Sequence, residues 1–541
     1  MGSPSDSHNS PAVTPSLSTL LTALARPECY PHHPARVEVV QTHISAVFLA
    51  GDVVYKLKKP VRFSFLDYST LALRQHYCQE EVRLNRRLAP TVYLGTVPVL
   101  STGNGYKVDD ASASDTGIVD YLVKMRRLSE DRRLDTLIAA DRVTKVGIHA
   151  LAERLVRFHQ TASTEQTALY GTPDIIWQAV ADNFQETTPF IGQTIGAKQY
   201  ALIRDFSQRF FAEHQELFKT RPLRGRVREG HGDLRCEHVY FLDEGVTVVD
   251  CIEFSTRLRT CDVASELAFL TMDLELQGAP ALAAELAHTY AARMEDADFL
   301  RLLPFYQCYR AYVRGKVESL KSREPEISPV EQERAHEQAR RAFRLAARYA
   351  RGAPPPALIV VCGRVGTGKS TVSRLLSEHT GFAGLNSDVV RKRLAGLLPT
   401  ARVGADYRAG IYSAAFTRRT YAALQIQAEE ELRAGRGVIV DATCKQPEDR
   451  RALLALGGRF GVPVLFLECR TSLAEVERRL RERERQGDSV SDANWEIALR
   501  EQDDFPTFAD LPERYHLIID TERAIEDALT TVEDYLSSPL P

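Results

Sequence analysis

Residues 363–370 read Gly-Arg-Val-Gly-Thr-Gly-Lys-Ser, a loop with the spacing Gly-x4-Gly-Lys-Ser. An apolar run at 357–361 and an amphipathic run at 371–378 flank it, which predicts the order strand, loop, helix. Such a loop wraps a phosphate with main-chain N–H groups, while its lysine reaches phosphate oxygens and its serine hydroxyl binds Mg²⁺. We predict a nucleoside triphosphate site; the alternative is a glycine-rich turn without a ligand. The predicted cofactor-binding residues are Gly363, Arg364, Val365, Gly366, Thr367, Gly368, Lys369, Ser370 and Thr371, with Ser370 also a metal ligand.

A carboxylate at the end of a later strand supplies the expected second half of this metal site. The apolar run 437–441 ends in Asp441, which can hold the Mg²⁺ shell. Ala442 and Thr443 follow it, whereas ATP-hydrolysing motors place an acidic residue there to activate water. A motor is therefore disfavoured. The alternative role for Asp441 is to cap the next helix.

Between these two elements, Asp388 and Arg391 lie one helical turn apart after a second predicted strand. In small P-loop kinases, which this segment resembles, such an Asp accepts the proton of the substrate hydroxyl and such an Arg holds an anionic substrate. We predict these two roles here. The alternative is that Ser387 or Asp388 only caps the helix.

A basic run at 478–485 precedes the polar run 486–492. A basic helix that opens into a polar loop resembles the lid of a phosphoryl-transfer enzyme, whose guanidinium groups stabilise the transferring phosphoryl group. The candidates are Arg483, which we assign to catalysis, and Arg479. The alternative is a solvated helix with Glu–Arg pairs at i,i+3 and i,i+4.

A second set of residues in the first half of the chain indicates a second phosphoryl-transfer site. Asp233 lies in a His-Gly-Asp turn and Asp250 ends a predicted strand. Asp233 would deprotonate the acceptor hydroxyl, and Asp250 would hold Mg²⁺. Upstream, Lys56 on a strand could pair with phosphates and Glu81 on the next helix could orient it, with Glu80 as the alternative. Lys56 could instead belong to a surface cluster of lysines.

The elements that must position these residues divide into two patterns. Short β-like runs, one helix and a further strand up to residue 100 predict a small sheet, and helical periodicity then dominates up to residue 350. Beyond residue 357, strands alternate with helices, which predicts an α/β unit with a doubly wound parallel sheet. The predicted domains are a disordered tail (1–15), an N-lobe (16–127) with a hinge near 124–125, a helical C-lobe (128–350), a Pro-rich linker (351–356) and a P-loop domain (357–541).

Both halves resemble known families through these motifs. Residues 357–541 are similar to the AAA-type P-loop kinase-like domains related to polynucleotide kinases, zeta-toxins and gluconate kinases. Residues 36–345 resemble the aminoglycoside phosphotransferase and choline kinase branch of the protein-kinase-like, bilobal fold. The whole chain looks like bacterial bifunctional aminoglycoside phosphotransferase and ATP-binding proteins. The resemblance implies ATP and Mg²⁺ as cofactors and a small-molecule hydroxyl as acceptor.

One residue departs from the family pattern of the first half. His238 stands where that family usually has an Asn, and Mg²⁺ prefers oxygen ligands. The metal site is therefore altered there, or Glu237 or Glu253 replaces the missing oxygen. A sensor whose first half binds a ligand without catalysis is the alternative function that this substitution supports.

Bulk composition limits the partners. The net charge is −3 over 541 residues, and residues 357–541 lack a mixed aromatic and basic groove. A further alternative, that the protein phosphorylates the ends of nucleic acids as a polynucleotide kinase does, is therefore disfavoured. The nine scattered cysteines and the absence of a long apolar run predict free thiols and a cytoplasmic protein without a membrane partner. An anionic acceptor suits the basic residues near the motifs better than a cationic aminoglycoside; they are Arg235, Arg257, Arg259, Arg310 and Arg314.

Overall fold

The computed structural model describes residues 16–63, 66–102, 105–109, 117–325, 327–352, 354–398, 401, 410–486, 495–501, 505, 507–523, 529, 532 and 535–536. The chain divides into two compact units. The first unit comprises residues 1–186 and 207–311, and the second comprises residues 187–206 and 312–541. Each unit contains one of the two predicted sites.

An antiparallel sheet dominates the start of the first unit. Its elements are α1 (Leu17–Leu24), β1 (Val37–Gln41), β2 (Ser45–Ala50), β3 (Val53–Lys58), β4 (Arg62–Phe63), β5 (Leu66–Asp67), α2 (Leu71–Asn85), β6 (Tyr93–Thr102), β7 (Gly105–Val108) and β8 (Ile118–Arg126). Six strands pair in the order β1-β2-β3-β8-β6-β7. Phe48, Tyr55 and Leu57 on β2 and β3 are fully buried in one cluster with Leu20 and Leu24 of α1. This burial fixes the register of β3, the strand that carries Lys56.

Helix α2 packs on the other face of the sheet. It begins after Thr70, whose side-chain oxygen accepts the N–H of Leu73. Cys78 and Val82 of α2 are buried with Val123 of β8. The helix is therefore fixed against the strand next to β3, and this packing brings its acidic residues close to β3.

The chain from residue 134 to residue 321 is mainly helical. The elements are α3 (Leu134–Ala139), α4 (Lys145–Thr161), α5 (Thr167–Tyr170), α6 (Pro173–Thr187), α7 (Ala197–Glu213), α8 (Gln215–Leu223), β9 (Val227–Glu229), β10 (Val239–Leu242), β11 (Gly245–Val248), α9 (Thr256–Arg259), β12 (Thr260–Asp262), α10 (Val263–Leu276), α11 (Pro280–Met294) and α12 (Phe299–Lys321). Every residue of helix α10 from Val263 to Leu274 is buried. Strands β10 and β11 form the predicted hairpin.

A parallel sheet forms the centre of the second unit. The elements are α13 (Pro329–Arg351), β13 (Leu358–Cys362), α14 (Lys369–Thr380), β14 (Ala383–Asn386), α15 (Ser387–Leu394), α16 (Ala414–Arg433), β15 (Val438–Asp441), α17 (Pro447–Phe460), β16 (Val464–Arg470), α18 (Leu473–Gln486), α19 (Trp495–Glu501) and β17 (His516–Asp520). The strand order is β14-β15-β13-β16-β17 and every pair is parallel. All residues of β13 and β15 are buried because helices cover both faces of the sheet.

Helix α13 leads the chain to this sheet. It begins with a capping box between Ser328 and Glu331, and small residues at helical spacing, such as Ala335, Ala339 and Ala346, are buried along one face. Arg344 of the same helix pairs with Glu378 of α14 at 3.2 Å. The helix that follows the glycine-rich loop is thus held by α13 as well as by the sheet.

The predicted fold class is confirmed: an antiparallel sheet with a helical region is followed by an α/β unit with a parallel sheet. Residues 124–125 lie within β8, which continues to Arg126, and Lys124 pairs with Tyr55 in the sheet; the hinge expected there stays a prediction. The domain limits drawn from the sequence remain predictions. Among the described residues, no helix has both the length and the apolar character needed to cross a membrane.

Candidate active sites

The glycine-rich loop connects β13 to α14, as its sequence predicts. Two of its glycines permit the path that the backbone takes. Gly363 has φ +130°, and a Cβ there would lie 2.6 Å from the carbonyl oxygen of Cys469. Gly368, with φ +89°, occupies the N-cap position of α14. Any other residue at these two positions would clash or be strained, so the loop conformation depends on glycine.

The loop binds one of its own carbonyl groups and, among the described residues, leaves main-chain N–H groups free. Lys369 Nζ and the Thr367 hydroxyl each donate to the carbonyl oxygen of Arg364, both at 2.8 Å. Within the part of the chain that the structure describes, the main-chain N–H groups of residues 364–368 have no hydrogen-bond partner. A row of free N–H groups at the N-terminus of a helix is an anion site, so the loop can bind phosphate.

Asp441 lies at the end of β15, beside this loop. Its side chain is buried, and it accepts a hydrogen bond from the amide of Asn386 at 2.6 Å. Burial raises the pKa of Asp441 above its usual value, while Lys369 and the side chain of Ser370 oppose that shift. Asp441 does not cap the next helix, because Gln446 occupies the N-cap of α17. Ser370 and Asp441 are therefore adjacent oxygen groups, a donor set that fits Mg²⁺.

Asp388 lies in the first turn of α15. The N-cap of this helix is Asn386, whose side-chain oxygen accepts the N–H groups of Asp388 and Val389. The capping role considered for Ser387 or Asp388 is therefore wrong. Asp388 lies close enough to Asp441 for its charge to raise the pKa of Asp441. The predicted base and the predicted metal ligand of the second unit are thus neighbours.

Arg391 is buried and held by the segment before α16. Its Nη1 donates to the carbonyl of Ile411 at 2.7 Å and to the hydroxyl of Thr417 at 3.1 Å, and its guanidinium lies over the ring of Tyr412. Its Nε is buried without a hydrogen-bond partner. A buried guanidinium with an unused donor is suited to an anionic ligand.

Most of the basic run in α18 follows the alternative expectation. Arg478 and Arg481 pair with glutamates of the same helix, at i,i+3 and i,i+4 spacing. Arg479 also reaches out of the helix, because its Nη2 donates to the carbonyl of Thr521 at 2.8 Å. A Cβ on Gly368 would lie 3.0 Å from Arg479 Nη1, so this arginine borders the loop. Arg483 lies one turn further along the helix and is half-buried, while residues 487–492 of the polar run predicted to form the lid, 486–492, lie outside the described residues.

In the first unit, Lys56 contacts both of its predicted partners. Its Nζ lies 2.9 Å from Glu81 Oε1 and 2.7 Å from Asp250 Oδ1. Glu80 points elsewhere and pairs with Arg83. Although burial lowers the pKa of Lys56, Asp250 and Glu81 together raise it well above its usual value. Strand β3, helix α2 and the segment after β11 therefore assemble one lysine and two carboxylates, which is the arrangement that phosphates and a metal require in a kinase-like site.

The backbone at Asp250 is in the left-handed region, with φ +66°. The hydroxyl of Tyr93 accepts the N–H of Asp250 at 3.0 Å, and Asn85 accepts the N–H of Cys251 at 2.9 Å. Burial would raise the pKa of Asp250, but Lys56 and His238 hold it below its usual value. Asp250 therefore stays ionised, and its side chain remains 48% exposed towards solvent.

Helix α10 holds the His-Gly-Asp turn through the side chain of Glu266. Glu266 accepts the main-chain N–H groups of His231 and Gly232. In the same turn, Arg235 grips both carboxylate oxygens of Asp233, at 3.0 and 2.8 Å. Although burial raises the pKa of Asp233, the Arg235 guanidinium and His238 lower it further than burial raises it. The predicted base is positioned, but its two oxygens are occupied by Arg235.

His238 lies between the two aspartates of this site. Its Nδ1 hydrogen-bonds the carbonyl of Asp233 at 2.7 Å, and its Nε2 lies 3.8 Å from Asp250 Oδ2. Glu253 Oε1 accepts hydrogen bonds from Lys58 and Tyr68; the replacement of the missing oxygen ligand by Glu237 or Glu253 stays a prediction. Asp250 fits Mg²⁺, whereas an imidazole is a poor neighbour for that ion. Among the described residues, no group of three or more protein ligands could hold a metal, so phosphate and water would complete its shell.

The role of Lys58 was not predicted from the sequence. Lys58 is fully buried and contacts Glu81 at 2.6 Å. The spacing contained a signal, since Lys56 and Lys58 are two residues apart on a strand and must share a face.

Fewer of the basic residues near the motifs are available to a ligand than the sequence predicts. Arg259 pairs with Glu229, Arg310 donates to the carbonyl of Ser265 and Arg314 pairs with Glu318.

Taken together, the folds and the two sites define a class: a chain that joins a unit with a buried cluster of lysines and carboxylates to a P-loop unit. A family model described as an AAA domain matches residues 358–505. The curated relatives include "Uncharacterized protein Rv2004c" of Mycobacterium tuberculosis (strain ATCC 25618 / H37Rv), which is 30% identical over 463 residues, 85% of this chain and 89% of that protein. "Uncharacterized protein Mb2027c" of Mycobacterium bovis matches to the same extent. The chain belongs to the family of these mycobacterial proteins.

Solved structures resemble parts of the chain. A choline/ethanolamine kinase family protein from Mesorhizobium loti has a TM-score of 0.37 and 13% identity, covering 62% of this chain and 99% of that chain. A putative kinase from Chloroflexus aurantiacus j-10-fl has a TM-score of 0.28 and 23% identity, covering 35% of this chain and 100% of that chain.

Proposed function

We propose that the protein is an ATP-dependent phosphotransferase with two sites, each transferring the γ-phosphoryl group of ATP to a hydroxyl of a small molecule. The observation that carries the proposal is the contact of Lys56 with both Glu81 and Asp250 in the first unit. The phosphate loop with Asp441 and Asp388 beside it extends the proposal to the second unit. In each reaction the acceptor oxygen forms a bond to phosphorus, the bond to the β,γ-bridging oxygen breaks and ADP leaves.

In the second unit, the N–H groups of residues 364–368 and Lys369 would bind the β- and γ-phosphates. Ser370 and Asp441 would hold Mg²⁺, which neutralises charge on the phosphates when it is bound. Asp388 would accept the proton of the acceptor hydroxyl. Arg391 would position an acidic group of the acceptor, and Arg483 would reach the transferring phosphoryl group from the lid.

In the first unit, Lys56 would pair with the phosphates while Glu81 fixes its direction. Asp250 would be the protein's ligand for Mg²⁺, and Asp233 would accept the acceptor's proton. Arg235 must leave at least one oxygen of Asp233 before that transfer, because both oxygens are occupied. An acceptor with its own carboxylate or phosphate would draw the guanidinium away, so we propose an anionic acceptor for this site.

A second candidate function follows from the contact between Arg235 and Asp233. If Arg235 never leaves Asp233, the first unit binds ATP without transferring phosphate and acts as a sensor that regulates the second unit. His238 at the metal site favours this alternative, because it weakens the expected binding of Mg²⁺.

We also propose the cytoplasm as the location of the protein. None of the nine cysteines forms a disulfide bond, and eight of them are buried. Reduced thiols and ATP are both cytoplasmic conditions, so the proposed activity and the state of the cysteines agree.

An ATP-dependent screen of metabolite pools tests the proposal. Wild type, Lys369→Ala, Asp233→Ala and the control Lys59→Ala are incubated with γ-labelled ATP, and labelled products are separated from free phosphate. We expect one product to disappear with Lys369→Ala and another with Asp233→Ala, while Lys59→Ala retains both. Label that appears only as free phosphate in every pool would contradict a phosphotransferase. A product pattern unchanged by Asp233→Ala would favour the sensor.

A further inference from the structure

A second lysine lies beneath Lys56 on the same face of β3. Lys58 is fully buried, and its Nζ donates to Glu81 Oε2 at 2.6 Å, to Glu253 and to the hydroxyl of Tyr68 at 3.4 Å. Tyr68 in turn donates to Glu253. The Lys58 ammonium group therefore has three hydrogen-bond partners inside the first unit, and of these groups only Glu81 has a role in the phosphoryl transfer described above.

The two lysines divide one carboxylate between them. Glu81 presents Oε1 to Lys56 and Oε2 to Lys58, and its side chain is fully buried. A contact at each of its two oxygens restrains the rotation of this carboxylate. The direction of Lys56, which depends on Glu81, is therefore set indirectly by Lys58.

The same lysine restrains the segment that carries Asp250. Glu253 follows Asp250 by three residues, and its pair with Lys58 ties this segment to β3. Asp250 has a left-handed backbone conformation, which is unfavourable for a residue other than glycine and must be maintained by its surroundings. The pair between Lys58 and Glu253 is one of these restraints.

Charge balance gives Lys58 a further effect on Lys56. The cluster contains two lysines and three carboxylates: Glu81, Glu253 and Asp250. Although burial lowers the pKa of Lys58, Glu253 and Glu81 raise it well above its usual value, so Lys58 stays charged. Without this charge, Lys56 would be the single cation facing three carboxylates and would be drawn from the phosphates towards the protein.

We propose that Lys58 is a positioning residue of the first-unit site: it fixes Glu81 and the Asp250 segment so that Lys56 can bind the phosphates of ATP. This inference rests on the proposed function of that unit. It assigns to the Lys58–Glu253 pair an effect on nucleotide binding that a pair serving only stability would lack.

The same lobe offers a matched control for stability. Arg74 of α2 and Asp120 of β8 form another buried ion pair, with Nε and Oδ1 2.8 Å apart. This pair also ties α2 to the sheet, but it makes no contact with Lys56, Glu81 or Asp250 among its hydrogen bonds. Removing Arg74 or Lys58 takes the neighbouring cation from a buried carboxylate, Asp120 or Glu253, and should lower the thermal midpoint by a similar amount.

The test uses the full chain in a Lys369→Ala background, so that the second-unit site does not bind. The Kd for ATP with Mg²⁺ is measured by calorimetry, and the thermal midpoint is recorded for each variant. We expect Lys58→Met to weaken ATP binding about tenfold to 100-fold, since a small displacement of positioning groups is costly. Arg74→Met should lower the midpoint without this change in Kd.

A double variant separates positioning from stability. Lys58→Met with Glu253→Gln removes both charges, so its midpoint should recover towards the parent, whereas its Kd should stay weak because Glu81 has lost its second partner. A Kd that recovers together with the midpoint would overturn the inference. So would a normal Kd in Lys58→Met while Lys56→Ala abolishes binding. If the parent itself binds no ATP and Lys56→Ala is identical to it, the proposed function of the first unit fails, and the inference fails with it.

Discussion

The two sites bind phosphate by different means. In the second unit, one short loop presents main-chain N–H groups, and its shape depends on glycines such as Gly363. In the first unit, ion pairs join side chains from a strand, a helix and a later segment, and Lys56 takes part in two of these pairs. Nucleotide binding at the loop site should therefore be sensitive to changes in the backbone, whereas binding at the charged site should be sensitive to the loss of single side chains.

The largest expected effect comes from filling the loop. Gly363→Ala would place a Cβ 2.6 Å from the carbonyl oxygen of Cys469 and would strain a backbone with φ +130°. We expect ATP binding at the second-unit site to weaken at least about 100-fold, measured by calorimetry in a Lys56→Ala background. Gly458→Ala in α17 is the control, because nothing lies within 4 Å of a Cβ there. Equal affinities in the two variants would show that the loop does not bind the nucleotide.

A slightly smaller effect is expected when a single negative charge is removed from the first-unit site. Asp250→Asn keeps the shape of the side chain and removes the charge that faces Lys56 and a metal. We expect turnover at the first-unit site to fall about 100-fold while the thermal midpoint changes little. The neighbouring Lys59→Met is the control, since Lys59 donates to the carbonyl of Thr42 and not to this site. Full turnover in Asp250→Asn would contradict the assigned role.

The response to pH should also separate the sites. The pKa of Asp441 is raised, chiefly by burial, whereas the pKa of Asp250 is lowered by Lys56 and His238 against the effect of burial. As pH falls towards the ordinary range of a carboxylic acid, Asp441 therefore takes up a proton before Asp250, and proton uptake opposes Mg²⁺ binding. We expect the affinity for ATP with Mg²⁺ to decline first in Lys56→Ala, which retains only the second-unit site. An earlier decline in Lys369→Ala would reverse this assignment.

The smallest effect distinguishes two adjacent glutamates. Glu80 pairs with the largely exposed Arg83, whereas Glu81 is fully buried against the two lysines. Surface ion pairs contribute about 0–1 kcal/mol, so Glu80→Gln should leave both the midpoint and the Kd for ATP nearly unchanged. Glu81→Gln should weaken binding at the first-unit site. If Glu80→Gln has the larger effect on Kd, Glu80 is the residue that orients Lys56.

The sequence predicted what depends on local spacing. The loop at 363–370, the strand end at Asp441 and the strands of the parallel sheet follow from short-range patterns, and the structure contains each of them. The Lys56–Glu81 pair was predictable as a possibility, but Glu80 could not be excluded. The direction of a helix face towards β3 depends on packing against β8, which is a tertiary property.

Contacts between distant residues were not predictable. The burial of Lys58 depends on Glu253, 195 positions away in the chain. The occupation of Asp233 by Arg235 depends on side-chain rotamers, which no periodic pattern encodes. Asn386 was also missed as the N-cap of α15, because Asn, Ser and Asp occur together there and each of them caps helices.

The central claim is that one chain holds two separate ATP sites. Isothermal titration of the full-length protein with Mg²⁺ and a non-hydrolysable ATP analogue tests it most directly. We predict two bound nucleotides per chain, one in Lys369→Ala, one in Lys56→Ala and none in the double variant. A single bound nucleotide in the wild type, or a stoichiometry that neither substitution lowers, would contradict the account.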